Sequence, residues 1–190
     1  GAEKNQQIRK LWETMFQAAA FADVALIHRD DFLAVFCYSS SSPCTDMSPA
    51  GNQKGWMGLR TALYITQVDQ AIAGRVPCIH LEQVTAARNT FKGQEDKGSP
   101  QEHLRAKLER AGYKVWDEDL NAAFIGGMAD RERLHTVTIS EELYRHLTNK
   151  TGTPFKFKFT RRQRTTLTEQ KVTNKVEWTP TNTSQEHAHP

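Results

Sequence analysis

The sequence is short of the features that usually declare a function. No apolar run approaches the roughly 18 to 20 residues a membrane span requires, and the first residues lack the apolar core of a signal peptide. Three cysteines, an odd number, make no dense disulfide framework. That excludes the stapled secreted class and points to free thiols in a reducing, cytoplasmic compartment. There is no phosphate-binding glycine loop, metalloprotease helix, nucleophile elbow or zinc-finger spacing, and Gly126-Gly127 stands alone. Neither a cofactor nor a metal is called for.

What is present is an ordinary globular composition, 38% hydrophobic and 25% charged, in a chain of 190 residues. That length suits one domain with a real core. The formal net charge of +3 is unevenly spread. Residues 154–178 hold seven Lys/Arg against two acids, so the remainder is slightly acidic. Within that stretch Phe155, Phe157 and Phe159 alternate with Lys156, Lys158 and Thr160, the period of a strand with one aromatic and one basic face. Arg161, Arg162 and Arg164 follow, and a second strand over 171–178 carries Lys171 and Lys175. The tail over 179–190 has no pattern and is expected to be disordered.

Upstream, Ile8, Leu11, Trp12, Met15, Phe16 and Ala19 fall on one stripe and predict an amphipathic helix over 3–21. Short runs at 24–28 and 32–38 flank Arg29-Asp30-Asp31 and read as a hairpin. The second run is apolar on both faces and is expected at the centre of a sheet. Residues 39–55, rich in Ser, Pro and Gly, form a long loop of the kind that is functional or mobile. A helix over 56–73 would turn Trp56, Leu59, Ala62 and Leu63 inward. A strand over 76–84 has Pro77 near its start, which suggests an edge position; 85–98 reads as a second mobile loop. Ser99-Pro100-Gln101-Glu102 is a capping box that opens a helix through Ala111, stopped at Gly112. Residues 113–116 and 120–125 read as a hairpin around Asp117-Glu118-Asp119, 134–139 as a strand, and Ser140 as the cap of a last helix to about Lys150. The order helix then hairpin thus recurs at 3–38 and 100–125, where 28–37 and 116–125 share Asp31/Asp119, Ala34/Ala122 and Phe36/Phe124.

Several residues could carry chemistry. Cys37, Cys44, Cys78 and His80 have the types of a zinc set, but the spacing is too wide, and buried structural cysteines fit better. Cys44 or Cys78 with His80 or His135 could make a nucleophilic site. His80 and Glu82 share one strand face, so a cleft with two His and one Glu is conceivable, against the commoner reading of structural histidines. The acidic groups at Asp30-Asp31 and at 117–119 could bind a hard cation, yet carboxylates at turns bond their own backbone.

These readings converge on a single α+β domain over 1–178, with a mixed, mainly antiparallel sheet and about four covering helices. The expected function is non-enzymatic nucleic-acid binding through a basic C-terminal hairpin. Lys156, Lys158, Arg161, Arg162, Arg164, Lys171 and Lys175 would contact backbone phosphates of DNA or RNA. No membrane partner is expected, and self-association into a homo-oligomer stays open. The alternatives are a protein-interaction domain or a small enzyme with a Cys/His/Glu site.

Overall fold

A computed structural model describes residues 4–16, 20–23, 26–125 and 129–158. In chain order these form α1 (Gln6–Phe16), β1 (Cys37–Ser41), α2 (Leu59–Ala73), β2 (Cys78–Gln83), α3 (Pro100–Arg110), β3 (Tyr113–Asn121), β4 (Glu132–Ser140) and α4 (Glu141–Thr151), linked by short 3-10 turns. The four strands lie in the order β1-β2-β4-β3. β1 and β2 are parallel, and β2–β4 and β3–β4 are antiparallel. This is the expected α+β arrangement of a mixed sheet with four helices.

The helix ends follow local chemistry. Ser99 Oγ accepts from Glu102 N at 3.2 Å while Glu102 Oε2 accepts from Ser99 N at 2.9 Å, and Pro100 occupies the first turn. Ser140 Oγ accepts from Leu143 N, and Gly152 closes α4 in the left-handed region at φ 68°. The core lies between α2, α3 and one face of the sheet, where Tyr64, Val68, Leu104 and Leu108 bury against Ile79, Leu81, Val115 and Leu134.

Six local expectations are corrected. Among the described residues of 24–38 there is no hairpin: Arg29–Phe32 is a 3-10 turn, because Asp31 Oδ2 accepts from His28 N at 2.8 Å and closes the chain on itself. The strand begins only at Cys37, and it is an edge strand, not a central one. β2, expected at an edge because of Pro77, lies between β1 and β4; the proline precedes the strand and removes no ladder bond from it. In α2 the buried stripe is Thr61, Tyr64, Gln67, Val68 and Ala71, and Leu59 is 88% exposed. Gln67 tolerates burial because its amide oxygen accepts from the Ser40 hydroxyl on β1.

Residues 113–121 are one continuous strand with no turn at the acidic triplet. Asp117 and Asp119 are engaged by Arg88, and Asp117 also by Arg105 of α3, so partners brought by the fold replace the local bonds a turn would supply. Residues 154–158 form no strand. Phe155 packs edge-on against Trp116 with ring centroids 5.9 Å apart, and its N–H donates to Thr148 Oγ1. Lys156 and Lys158 are exposed there, whereas Arg161, Arg162, Arg164, Lys171 and Lys175 lie outside the described residues. Among the described residues no helix is long and apolar enough to cross a membrane.

Candidate active site

Strand alternation sorts side chains onto two faces. Ile79, Leu81 and Gln83 of β2 turn toward the core, so Cys78, His80 and Glu82 take the other face. The registers extend that second face into rows across the sheet. One row reads Ser41, Glu82, His135, Glu118 from β1 to β3; the next reads Ser39, His80, Val137, Trp116.

Glu82 is the most constrained group on it. Ser41 Oγ donates to Glu82 Oε2, while Arg133 Nε lies 3.0 Å and Arg131 Nη2 3.8 Å from Oε1. The Glu82 side chain is only 18% exposed, so two cations and a hydroxyl fix a carboxyl group that still has an opening. Beside it, the His80 and His135 rings stack with planes 9° apart and Nε2 of His80 lies 3.1 Å from Nδ1 of His135. Ser39 Oγ is 2.9 Å from His80 Nδ1. Burial lowers the proton affinity of both imidazoles; for His80 the neighbouring His135 adds to this, and Glu82 pulls the other way for both.

The loop that leaves β1 brings Cys44 to the same end of the sheet. β1 and β2 run parallel, so the end of β1 and the Glu82 end of β2 share one edge, where open α/β sheets hold their ligands. The loop is pinned on both sides of Cys44. Before it, the buried Gln83 amide donates to Ser42 Oγ at 2.9 Å. After it, the Cys44 carbonyl accepts from Met47 N and Ser48 N, opening a helical turn. Asp46 Oδ2 then accepts from Arg60 N at the start of α2, and Arg60 Nη1 donates to Thr45 Oγ1. Gly58 admits this contact, since a Cβ there would sit 2.2 Å from Asp46 Cγ. A hollow of about 460 Å³ lined by Ser48, Pro49, Val84, Arg88, Asn89 and Arg133 opens at this end. Another hollow, about 580 Å³, is lined by Phe32, Leu33, Phe36 and Pro77 at the other end of the parallel strands, and carries no acid, imidazole or thiol.

The three cysteines differ. Cys37 is exposed and Cys44 and Cys78 are half-buried, so the expectation of buried structural thiols fails; the apolar run before Cys37 turns instead of forming a central strand. Cys78 is pushed up to about 12, by burial and then by its hydrogen bond to Cys37 across the parallel pair, and cannot serve as a thiolate near neutrality. Cys44 has no such partner thiol in register and sits on the ligand-facing end. Among the described residues no group of three His, Cys, Asp or Glu could hold a metal; in the acidic triplet, Asp117 and Asp119 are taken by Arg88 and Arg105. The structure does bring together His80, Glu82 and His135, a grouping conceivable from the sequence but weighed below structural histidines, on one face of the sheet. What spacing could not reveal is that Arg131, Arg133 and Ser41 converge on Glu82; the alternation over 131–135 was the available signal.

Comparison with known proteins gives the chain a family. The chain is 34% identical over 125 residues to the type II methyltransferase M.NlaX of Neisseria lactamica, covering 66% of this chain and 37% of that protein. It is 27% identical over 126 residues to the orphan methyltransferase M.SPRI of Bacillus phage SPR, covering 66% of this chain and 28% of the relative. It therefore spans about a third of the length of these relatives. In fold it resembles the Entamoeba histolytica methyltransferase EhMeth, with a TM-score of 0.61 at 14% identity over 87% of this chain and 48% of that one. It also resembles the Schizosaccharomyces pombe Dnmt2 methyltransferase, with a TM-score of 0.52 at 14% identity over 84% and 42%. The model of the C-5 cytosine-specific DNA methylase family matches residues 1–189, which overturns the expectation of a non-enzymatic accessory protein: the chain belongs to that family.

Proposed function

We propose that this chain carries the nucleophile and the acid of a cytosine C5 methylation site acting on DNA. The observation that supports it best is the pairing of Cys44, on a loop clamped at Ser42 and Asp46, with a Glu82 held by Ser41 and Arg133 at the end of the adjacent parallel strand. Cytosine C5 is a poor nucleophile while the ring is aromatic. A thiolate that adds to C6 converts C5 and C4 into an enamine, and the charge pushed toward N3 needs a proton there. In this reading Cys44 Sγ forms the bond to C6 and Glu82 gives its proton to N3. Arg133 holds Glu82 in place, with Arg131 behind it, and elimination of the thiolate later restores the aromatic ring.

A base inside a duplex cannot meet both groups, so the target nucleotide has to leave the stack to reach them. The exposed Lys156 and Lys158 suit phosphate contacts along the strand, as do Arg161, Arg162, Arg164, Lys171 and Lys175 further on. The reaction also consumes a methyl donor, and the described residues do not fit one. The polar groups lining the hollow of about 400 Å³ beside β1 are already engaged, Asp31 with His28, Ser40 with Gln67, Ser39 with His80 and Ser41 with Glu82. No step is assigned to the donor here.

The test needs no donor. Addition at C6 makes C5 take up a solvent proton, and elimination then releases either hydrogen, so DNA carrying tritium at cytosine C5 loses label to water. Exchange abolished in Cys44→Ser, with an unchanged thermal midpoint, is the expected result; undiminished exchange overturns the proposal.

A further inference from the structure

We propose that His135, with His80 stacked behind it, is a positioning residue for Glu82: the imidazole pair holds at most one extra proton, and taking it up switches the acid off. This rests on the reading of Glu82 given above. The argument begins with hydrogen counting. His80 Nε2 and His135 Nδ1 face each other at 3.1 Å, so only one of the two nitrogens can carry a hydrogen while the other accepts it. One extra proton is accommodated, because His80 Nδ1 can then donate to Ser39 Oγ. A second would set two N–H groups head to head. The pair is therefore a one-proton device within the working pH range of a histidine.

Its location gives that proton an effect. In the register of the sheet His135 lies directly across from Glu82 on one side and Glu118 on the other, and His80 precedes Glu82 by two residues on the same face. The remaining groups facing the pair are Ser39 and Ser41 on β1, Cys78 on β2, Trp116 on β3, and Arg133 on β4, with Arg131 beyond it. Glu82 already has Arg133 at 3.0 Å. With the pair neutral, no further cation stands across the strand from it. With the pair protonated, a third positive charge favours the ionised carboxylate over the acid that must give its proton to the base. Phenylalanine at both positions keeps a flat ring at each while removing every imidazole of the pair that could take up the proton; a single replacement would leave the other able to carry it.

The experiment has two arms. First, the imidazole nitrogens are followed by NMR against pH in the chain itself. His80 and His135 are expected to share one protonation step, with the second displaced to lower pH by at least about one unit; two independent full titrations overturn the proposal. Second, the pH dependence of tritium exchange is compared in wild type and the double variant His80→Phe/His135→Phe. The acid-side midpoint is expected to move down by at least about half a unit in the double variant. The rate at low pH should rise while the apparent KM for DNA stays within about twofold. A purely structural role would lower the thermal midpoint and leave the acid limb in place, and that outcome also overturns the proposal. Failure here is distinguishable from failure of the wider reading, because the latter shows as exchange that survives Cys44→Ser.

Discussion

Two arginine–carboxylate clusters sit on opposite faces of the same sheet. On the helix-covered face Asp117, its side chain 9% exposed, binds Arg88 at 2.8 Å and also Arg105 of α3, while Asp119 takes a second bond from Arg88. On the other face Glu82, 18% exposed, binds Arg133, Arg131 and Ser41. The chemistry is the same, and the surroundings decide its use. Asp117 ties α3 and the turn after β2 to β3, and its neighbours are helix residues. Glu82 ends a parallel strand beside a clamped cysteine and two stacked imidazoles. A buried ion pair by itself is weak evidence for either stability or function; what lies within reach of its open side separates the two.

That contrast can be broken in graded steps. Glu82→Gln removes the proton but keeps the shape, and tritium exchange at cytosine C5 is expected to fall by roughly 10²- to 10⁴-fold, the usual contribution of a positioned acid. Circular dichroism should show its thermal midpoint within a few degrees of wild type. Asp117→Ala should do the reverse. It leaves two arginines without their shared partner, at a cost of about 2 kcal/mol once their partial exposure is allowed for, read by urea denaturation. Exchange by the folded fraction should change by less than about threefold. If Asp117→Ala silenced exchange as strongly as Glu82→Gln, the division of labour proposed here would be wrong.

A third comparison uses pH. The proton affinity of His80 and His135 is lowered in the folded chain, so the unfolded chain binds protons more readily than the folded one. Their contribution to stability is therefore complete above the ordinary histidine value of 6.5 and is lost as pH falls from there toward the lowered folded values. Denaturation midpoints between pH 7.5 and 5 should decline in wild type and decline less in His80→Phe or His135→Phe. The smallest effect is expected at Arg131. Its nitrogen lies 3.8 Å from Glu82 and its side chain is 58% exposed, so Arg131→Ala should cost no more than about 0.5 kcal/mol in the same denaturation assay.

How much of this was legible in the sequence depends on whether the deciding interaction was local. α3 is legible because Ser99, Pro100 and Glu102 close its first turn among themselves. α4 is legible for the same reason at Ser140 and Gly152. The triplet at 117–119 misleads because its partners, Arg88 and Arg105, arrive from other elements, and an acidic run without visible partners looks like a turn. The stripe of α2 misleads because Gln67 is polar by composition and buried by virtue of Ser40 on β1. At the site, Cys44, His80, Glu82 and His135 are recognisable as residues able to do chemistry. Only the pairing of β1 with β2 and of β2 with β4 gathers His80, Glu82 and His135 on one face and brings the loop that carries Cys44 to the same end of the sheet, and residue spacing carries no information about strand order. The emphasis on charge drew the reading toward the basic end, whereas the nucleophile proposed here sits in residues 39–55, a stretch rich in Ser, Pro and Gly whose composition looks bland.

Gly58 carries a consequence of its own. Because α2 begins with a residue that has no side chain, Asp46 can reach the helix start and anchor the turn that follows Cys44. An added methyl group at position 58 would push that carboxylate away and free the proposed nucleophile from its mooring. A change at the start of a helix that supplies no reacting group in this scheme would then govern whether the thiol meets its target ring.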